Sequence, residues 1–132
     1  MRQAAAKDGD QIIATDIHMV LVPAGSALVP VPLPHPFTGT INDGLSSNVN
    51  IMGRRAATVG STAVNVPGHL PTTPGQGFQK PPANAGTIKQ GSQSVNINGQ
   101  PAARNGDIAE TCNDPSDLPV GSVVAVASVF VG

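Results

Sequence analysis

The chain has 132 residues, of which 11% are charged, with a formal net charge of −1 and three Phe but neither Tyr nor Trp. That is the length of one domain, and it lacks both the basic face and the stacking rings that nucleic-acid binding uses. A core this poor in large side chains calls for a staple, such as a metal ion or a partner, and a disulfide within the chain is excluded because Cys112 is the only cysteine.

Fifteen Gly and thirteen Pro leave only Asp10 to Val22 and Ser122 to Val131 as stretches of ten or more residues free of both. Long helices have almost nowhere to form, and the sequence predicts a mainly β chain. The N-terminus, "MRQAAAKDGDQ", holds no apolar run of signal-peptide length. Its "AAKDGD", Ala5 to Asp10, is the first of three related segments. "QIIATDIHMVLV" follows and reads as a strand carrying His18. The Pro-dense "VPAGSALVPVPLPHPFTG", with His35, reads as a connection or an edge, because proline cannot donate to a sheet ladder.

"NVNIMGRRAATVGS" comes next, and 46 residues later "SVNINGQPAARNGD" repeats its design. Eight of sixteen positions are identical when Ser46–Ser61 is laid on Ser92–Asp107. Asn98-Gly99 is a dipeptide favoured in tight hairpin turns with positive φ, with Met52-Gly53 at the matching place, so two hairpins of one design are expected. "AATVGS" (56–61) and "AARNGD" (102–107) are the second and third copies of the N-terminal segment. Three copies suggest a pseudo-threefold arrangement of closely packed backbone followed by a turn. "VPGHLPTTPGQGFQKPP", with His69, and "NDPSDLPVG" are further connections. The final "SVVAVASVFV" reads as one strand, and Val120 to Val131, the longest apolar segment, is too short to span a bilayer.

Each copy leads to a metal-ligating side chain: His18 eight residues after Asp10, His69 eight after Ser61, and Cys112 five after Asp107. With His35 this uses every His and the one Cys. Three imidazoles and a thiolate make a tetrahedral set that zinc accepts; iron competes, but a closed site with sulfur favours zinc. The spacings of 17, 34 and 43 residues match no local zinc-finger pattern. The competing reading is a strand histidine, two loop histidines and a small buried thiol with no shared ion.

The literal "PAAR" at Pro101 to Arg104, its "NGD" continuation, the upstream "VNING" and "PHPFTGTINDGLSSNVNIMGRRAATVGS" at 34–61 resemble the PAAR-repeat family. The likeness runs from Ala5 to Cys112. It implies a small conical β-structure of three repeats with a pseudo-threefold base and one structural zinc ion near the vertex, held by His18, His35, His69 and Cys112. It further implies a spike-tip protein of type VI secretion systems and related contractile injection machines. Such a protein caps a VgrG-like trimeric spike, one copy per trimer, and helps puncture the target membrane. On this reading residues 1–132 form a single domain without a fused effector, monomeric alone, cytoplasmic before firing and then delivered outside the cell or into the target cell. No nucleic acid or small-molecule substrate is expected.

Lys7, Thr58 and Ser61 replace Arg104 or Asp107 of the third copy, so a charge pair there cannot be copied to the middle repeat. A metal with four protein ligands has no position for substrate, which argues against an enzyme. The alternatives are an adaptor that carries effector cargo on residues 71–82, and a zinc-dependent hydrolase with water in place of Cys112 and Glu110 or Asp107 as base.

Overall fold

The structure is a computed structural model and describes residues 2–132. In chain order the strands are β1 (Gln3–Ala4), β2 (Gln11–Ala24), β3 (Ala27–Asp43), β4 (Asn50–Ile51), β5 (Arg54–Arg55), β6 (Thr62–Asn65) and β7 (Gly77–Phe78). They continue with β8 (Ala85–Ile88), β9 (Asn96–Ile97), β10 (Gln100–Pro101), β11 (Ile108–Thr111), β12 (Leu118–Val124) and β13 (Phe130–Val131). The described residues form no helix, so none is long and apolar enough to cross a membrane. The fold is mainly β, as the Gly and Pro density requires.

Six strands form a closed antiparallel cycle: β2, β3, β6, β8, β11 and β12 are neighbours in that order, and β12 returns to β2 over Gln11–Ile13. Closure removes sheet edges at this level. The interior holds Ile12, Ala63 and Ala109 from the strand after each repeated loop, and Ile41, Ile88 and Val123 from the strand that returns to it, all at most 1% exposed. Each branched side chain buried here contributes about 1.5–3 kcal/mol relative to exposure.

The three loop copies close a second cycle across one end of the strands. Ala6 N–H donates to Ala103 O, Ala103 N–H to Ala57 O, and Ala57 N–H to Ala6 O. Single bridges join Ala5 to Arg104, Lys7 to Ala56, and Thr58 to Ala102, so each copy meets both others through equivalent positions. Gly9, Gly60 and Gly106 take φ values of 92°, 96° and 88°, a turn conformation that costs glycine little. Their N–H groups donate to Ile41, Ile88 and Val123. The residue three before each turn's end is caught by the last side chain: Lys7 N by Asp10 Oδ2, Thr58 N by Ser61 Oγ, and Arg104 N by Asp107 Oδ2. Lys7–Asp10 and Arg104–Asp107 are ion pairs, while the middle copy makes the same backbone bond with an uncharged hydroxyl.

The predicted hairpins are β4–β5 and β9–β10, with Met52 at φ 52° and Asn98 at φ 54° in their turns. A third pair of the same kind joins β13 to β1, and Ala5 N–H donates to Val129 O as Ala56 does to Val49 O and Ala102 to Val95 O. The final apolar segment is therefore not one strand. Leu118–Val124 joins the closed cycle, whereas Phe130–Val131 leaves it to pair with Gln3–Ala4.

The Pro-rich segment with His35, expected as a connection or an edge, is an edge: residues 27–39 of it lie in the 17-residue strand β3, with β2 alone beside them until Gly39. Pro30, Pro32, Pro34 and Pro36 fall at every second residue, opposite Leu21, Met19, Ile17 and Thr15. Their missing N–H groups all fall on the side away from β2, and β3 acquires its second neighbour only from Gly39 onward. The prolines face outward, so Val31, Leu33, His35, Phe37, Gly39 and Ile41 face in.

Candidate metal centre

Strand alternation places the first ligating side chains. On β2 the inward set is Ile12, Ala14, Asp16, His18 and Val20, and Asp16 stands directly opposite His35 of β3. Asp16, His18 and His35 are 0%, 1% and 2% exposed. His69 follows β6 in a loop held by Asn84, whose Oδ1 accepts the His69 N–H at 2.8 Å. Cys112 follows directly after β11 and is buried.

The three imidazoles converge, with ring centroids 5.0 Å apart for His18–His69 and 5.5 Å for the two pairs with His35. Cys112 Sγ lies 3.6 Å from His18 Nε2, close to the ~3.5 Å separation of sulfur and nitrogen ligands around a tetrahedral zinc ion. His69 Nε2 donates to Asp16 Oδ2 at 2.8 Å, and its Nδ1 receives Asn65 Nδ2 at 3.3 Å. Atoms of Asp16, His18, His69 and Cys112 lie mutually within 4.8 Å, near enough to share one ion. His35 adjoins this group but is outside it: its Nδ1 donates to Leu33 O at 2.9 Å, and its Nε2 accepts Thr72 N–H at 3.3 Å.

The donor set fits a metal of zinc's kind: a soft sulfur, imidazole nitrogens and a carboxylate, all buried. His18 Nδ1 supplies a second sign. It is buried without a hydrogen-bond partner, 3.6 Å from Asp114 Oδ2, while Nε2 of the same ring faces Cys112. A carboxylate behind a histidine, and a backbone carbonyl behind His35, are the outer partners that orient metal-binding imidazoles. His18, His69 and Cys112 bring donor atoms within reach of one ion, with Asp16 and His35 against them.

Burial lowers the pKa of both His18 and His35, Asp114 opposing the effect at His18 and the Leu33 carbonyl opposing it at His35. Both rings are therefore neutral and offer lone pairs near neutral pH. Burial, with help from the Asp16 charge, pushes the Cys112 thiol up to about 11, although backbone N–H groups of Asn84 and Ala85 pull the other way. An ion binding at sulfur has to displace that proton.

Asp16 is the member that sequence reasoning missed. Its signal was present, because two residues before His18 on an alternating strand is the same face, and carboxylates are ordinary zinc ligands. Two of the three Phe wrap the cluster: Phe37 lies 6.1 Å from His69, and Phe78 5.8 Å from His18 and 5.3 Å from His35, by ring centroids. The 71–82 segment, read as a cargo loop, is thereby tied to the site. Thr72 binds His35 and Gln76 and Gln79 donate to β2. The two bases considered for a hydrolase are engaged elsewhere, Asp107 with Arg104 at 2.7 Å and Glu110 with Lys89 at 4.0 Å.

A family model described as "PAAR motif" matches residues 34–115, more than half of the chain and the span that holds His35, His69 and Cys112. No curated protein gives a significant match.

Proposed function

The chain belongs to the PAAR-motif family, and from that premise we propose that it caps the tip of a VgrG-like trimeric spike in a contractile injection machine, one copy per trimer. Membership supports a spike-tip role related to type VI secretion at the level of the family. The observation that carries the finer reading is the closed cycle of three loop copies, in which one chain makes each backbone contact three times. A surface with that repetition can meet a threefold axis through three similar contacts, which an asymmetric domain cannot do. The docking face is the end bearing the three short hairpins β4–β5, β9–β10 and β13–β1, where Val49, Met52, Val129 and Phe130 expose apolar surface.

The metal centre serves a structural role on this reading. His18 lies eight residues along β2 from the first loop copy, about 27 Å at strand rise. An ion shared by His18, His35, His69 and Cys112 ties β2, β3 and the segments after β6 and β11 to one point, beside the apolar cluster that includes Phe37 and Cys112. The ion is zinc, and the role is mechanical and not catalytic.

Mixing the purified chain with a soluble trimeric spike and measuring the mass of the complex tests the docking. One copy per trimer is expected, with binding weakened when Met52 and Phe130 are changed to Asp. Three copies per trimer, or no complex with the spike of the same machine, refutes the reading.

A further inference from the structure

We propose that Asp16 is an inner ligand of the metal centre, its Oδ2 binding the ion beside the imidazole nitrogens and the Cys112 sulfur. The inference rests on the reading of this cluster as a metal site and adds to it a residue that the three-histidine, one-cysteine pattern does not contain.

The two oxygens of the carboxylate are treated differently. Oδ1 accepts Thr111 Oγ1 at 2.5 Å and Asn113 Nδ2 at 3.4 Å, which anchors the group to β11 and the segment after it. Oδ2 accepts only from His69 Nε2 at 2.8 Å and Cys112 Sγ at 3.4 Å. Both partners of Oδ2 are themselves metal donors. Once those two atoms turn their lone pairs to an ion, Oδ2 keeps no donor among the described residues. A carboxylate oxygen in a fully buried group then needs the cation itself.

Charge leads to the same assignment. Asp16 is 0% exposed, its Oδ2 lies 2.8 Å from His69 Nε2, and among the described residues no Lys or Arg is in contact with it. A dication with one thiolate and neutral imidazoles leaves a buried centre with a net charge of +1. Adding the Asp16 carboxylate makes the ligand sphere neutral, with the Asp114 carboxylate one imidazole away behind His18. The register supports it too: Asp16 is directly opposite His35 and two residues from His18 on the same face, so the oxygen is delivered by the rigid part of the β2–β3 ribbon.

The test compares the zinc-loaded chain with Asp16→Asn, which keeps size and the Oδ1 acceptor. Zinc affinity is measured by chelator competition, and the ligand field by visible spectra of the cobalt-substituted proteins. Asp16→Asn is expected to bind zinc at least about 100-fold more weakly, beyond the 10–100-fold usual for loss of an outer partner, and to shift the cobalt bands. Unchanged bands, with or without weaker binding, overturn inner ligation. If the variant does not fold, infrared difference spectra of wild-type protein labelled with 13C at the aspartate carboxyl decide the matter. A zinc-induced shift of one carboxylate band supports the proposal, and no shift overturns it. A wild-type chain that binds no zinc overturns the metal-centre reading itself, whereas a centre of three imidazoles and one sulfur without a carboxylate overturns only Asp16.

Discussion

Two regions along the β2–β3 ribbon are held by opposite means. At the loop-copy end, Ala6, Ala57 and Ala103 are at most 1% exposed and joined by a ring of backbone hydrogen bonds. That end needs only small side chains and repeated glycine turns. Beyond it, at Asp16, His18, His35, His69 and Cys112, the buried atoms are polar and point at one another. Backbone pairing satisfies its own polar groups, whereas a cluster of buried imidazoles, a thiol and a carboxylate depends on what binds them. On the proposed reading, the loop-copy region is stable by composition and the cluster is conditional on an ion.

The largest way to break that contrast is to remove the ion. Chelation, or Cys112→Ala, is expected to lower the melting temperature steeply and to release amide-exchange protection in β7 and the 66–76 segment before the loop-copy ring. Apparent binding energies of structural zinc sites, about 10–16 kcal/mol near neutral pH, set the ceiling. Equal loss of protection at both ends would show that the ring does not hold alone. Ala57→Leu attacks the other end. Overpacking a site with no free surface is expected to cost about 1–3 kcal/mol in a denaturant titration while leaving zinc stoichiometry unchanged.

Acidity separates the ends more gently. In protein stripped of metal, His18 and His35 have pKa values below the ordinary 6.5 when folded. Below about that value the unfolded chain takes up protons that the folded chain refuses, so stability falls as pH drops through 6.5 toward the lowered values. Cys112 acts at the alkaline side: its pKa is about 11 folded against 9.0 as the ordinary value. The unfolded chain loses that proton first, and stability falls as pH rises from 9.0 to about 11. Urea midpoints across pH should show a plateau between these two declines, and zinc, which binds only deprotonated ligands, should steepen the acid limb.

The smallest effect is expected from moving the middle copy's chemistry into the third. Asp107→Ala alone strands the Arg104 N–H and is expected to cost about 1–3 kcal/mol. The double change Arg104→Thr with Asp107→Ser reproduces Thr58 and Ser61, keeps the backbone bond, and loses only a partly exposed ion pair, worth about 1 kcal/mol or less. A double variant no more stable than the single one would deny that the copies are interchangeable.

The sequence alone determined the repeated parts. Ala-Ala followed three residues later by Gly fixed the loop copies, Asn98-Gly99 and Met52-Gly53 fixed two hairpin turns, and alternation fixed β2, because each depends on a few neighbouring residues. The inventory of three His and one Cys marked where chemistry would be. Only the tertiary structure decided that the last apolar stretch divides between β12 and β13, that four alternate prolines run along one face of β3, and that Asp16 joins the cluster. Each of these depends on which chain lies alongside: an edge with no neighbour to receive an N–H, a strand at the far end of the sequence, or histidine and cysteine side chains brought against a carboxylate from β2. Local residue preference carries no information about such neighbours, since they are set by the closure of the six-stranded cycle.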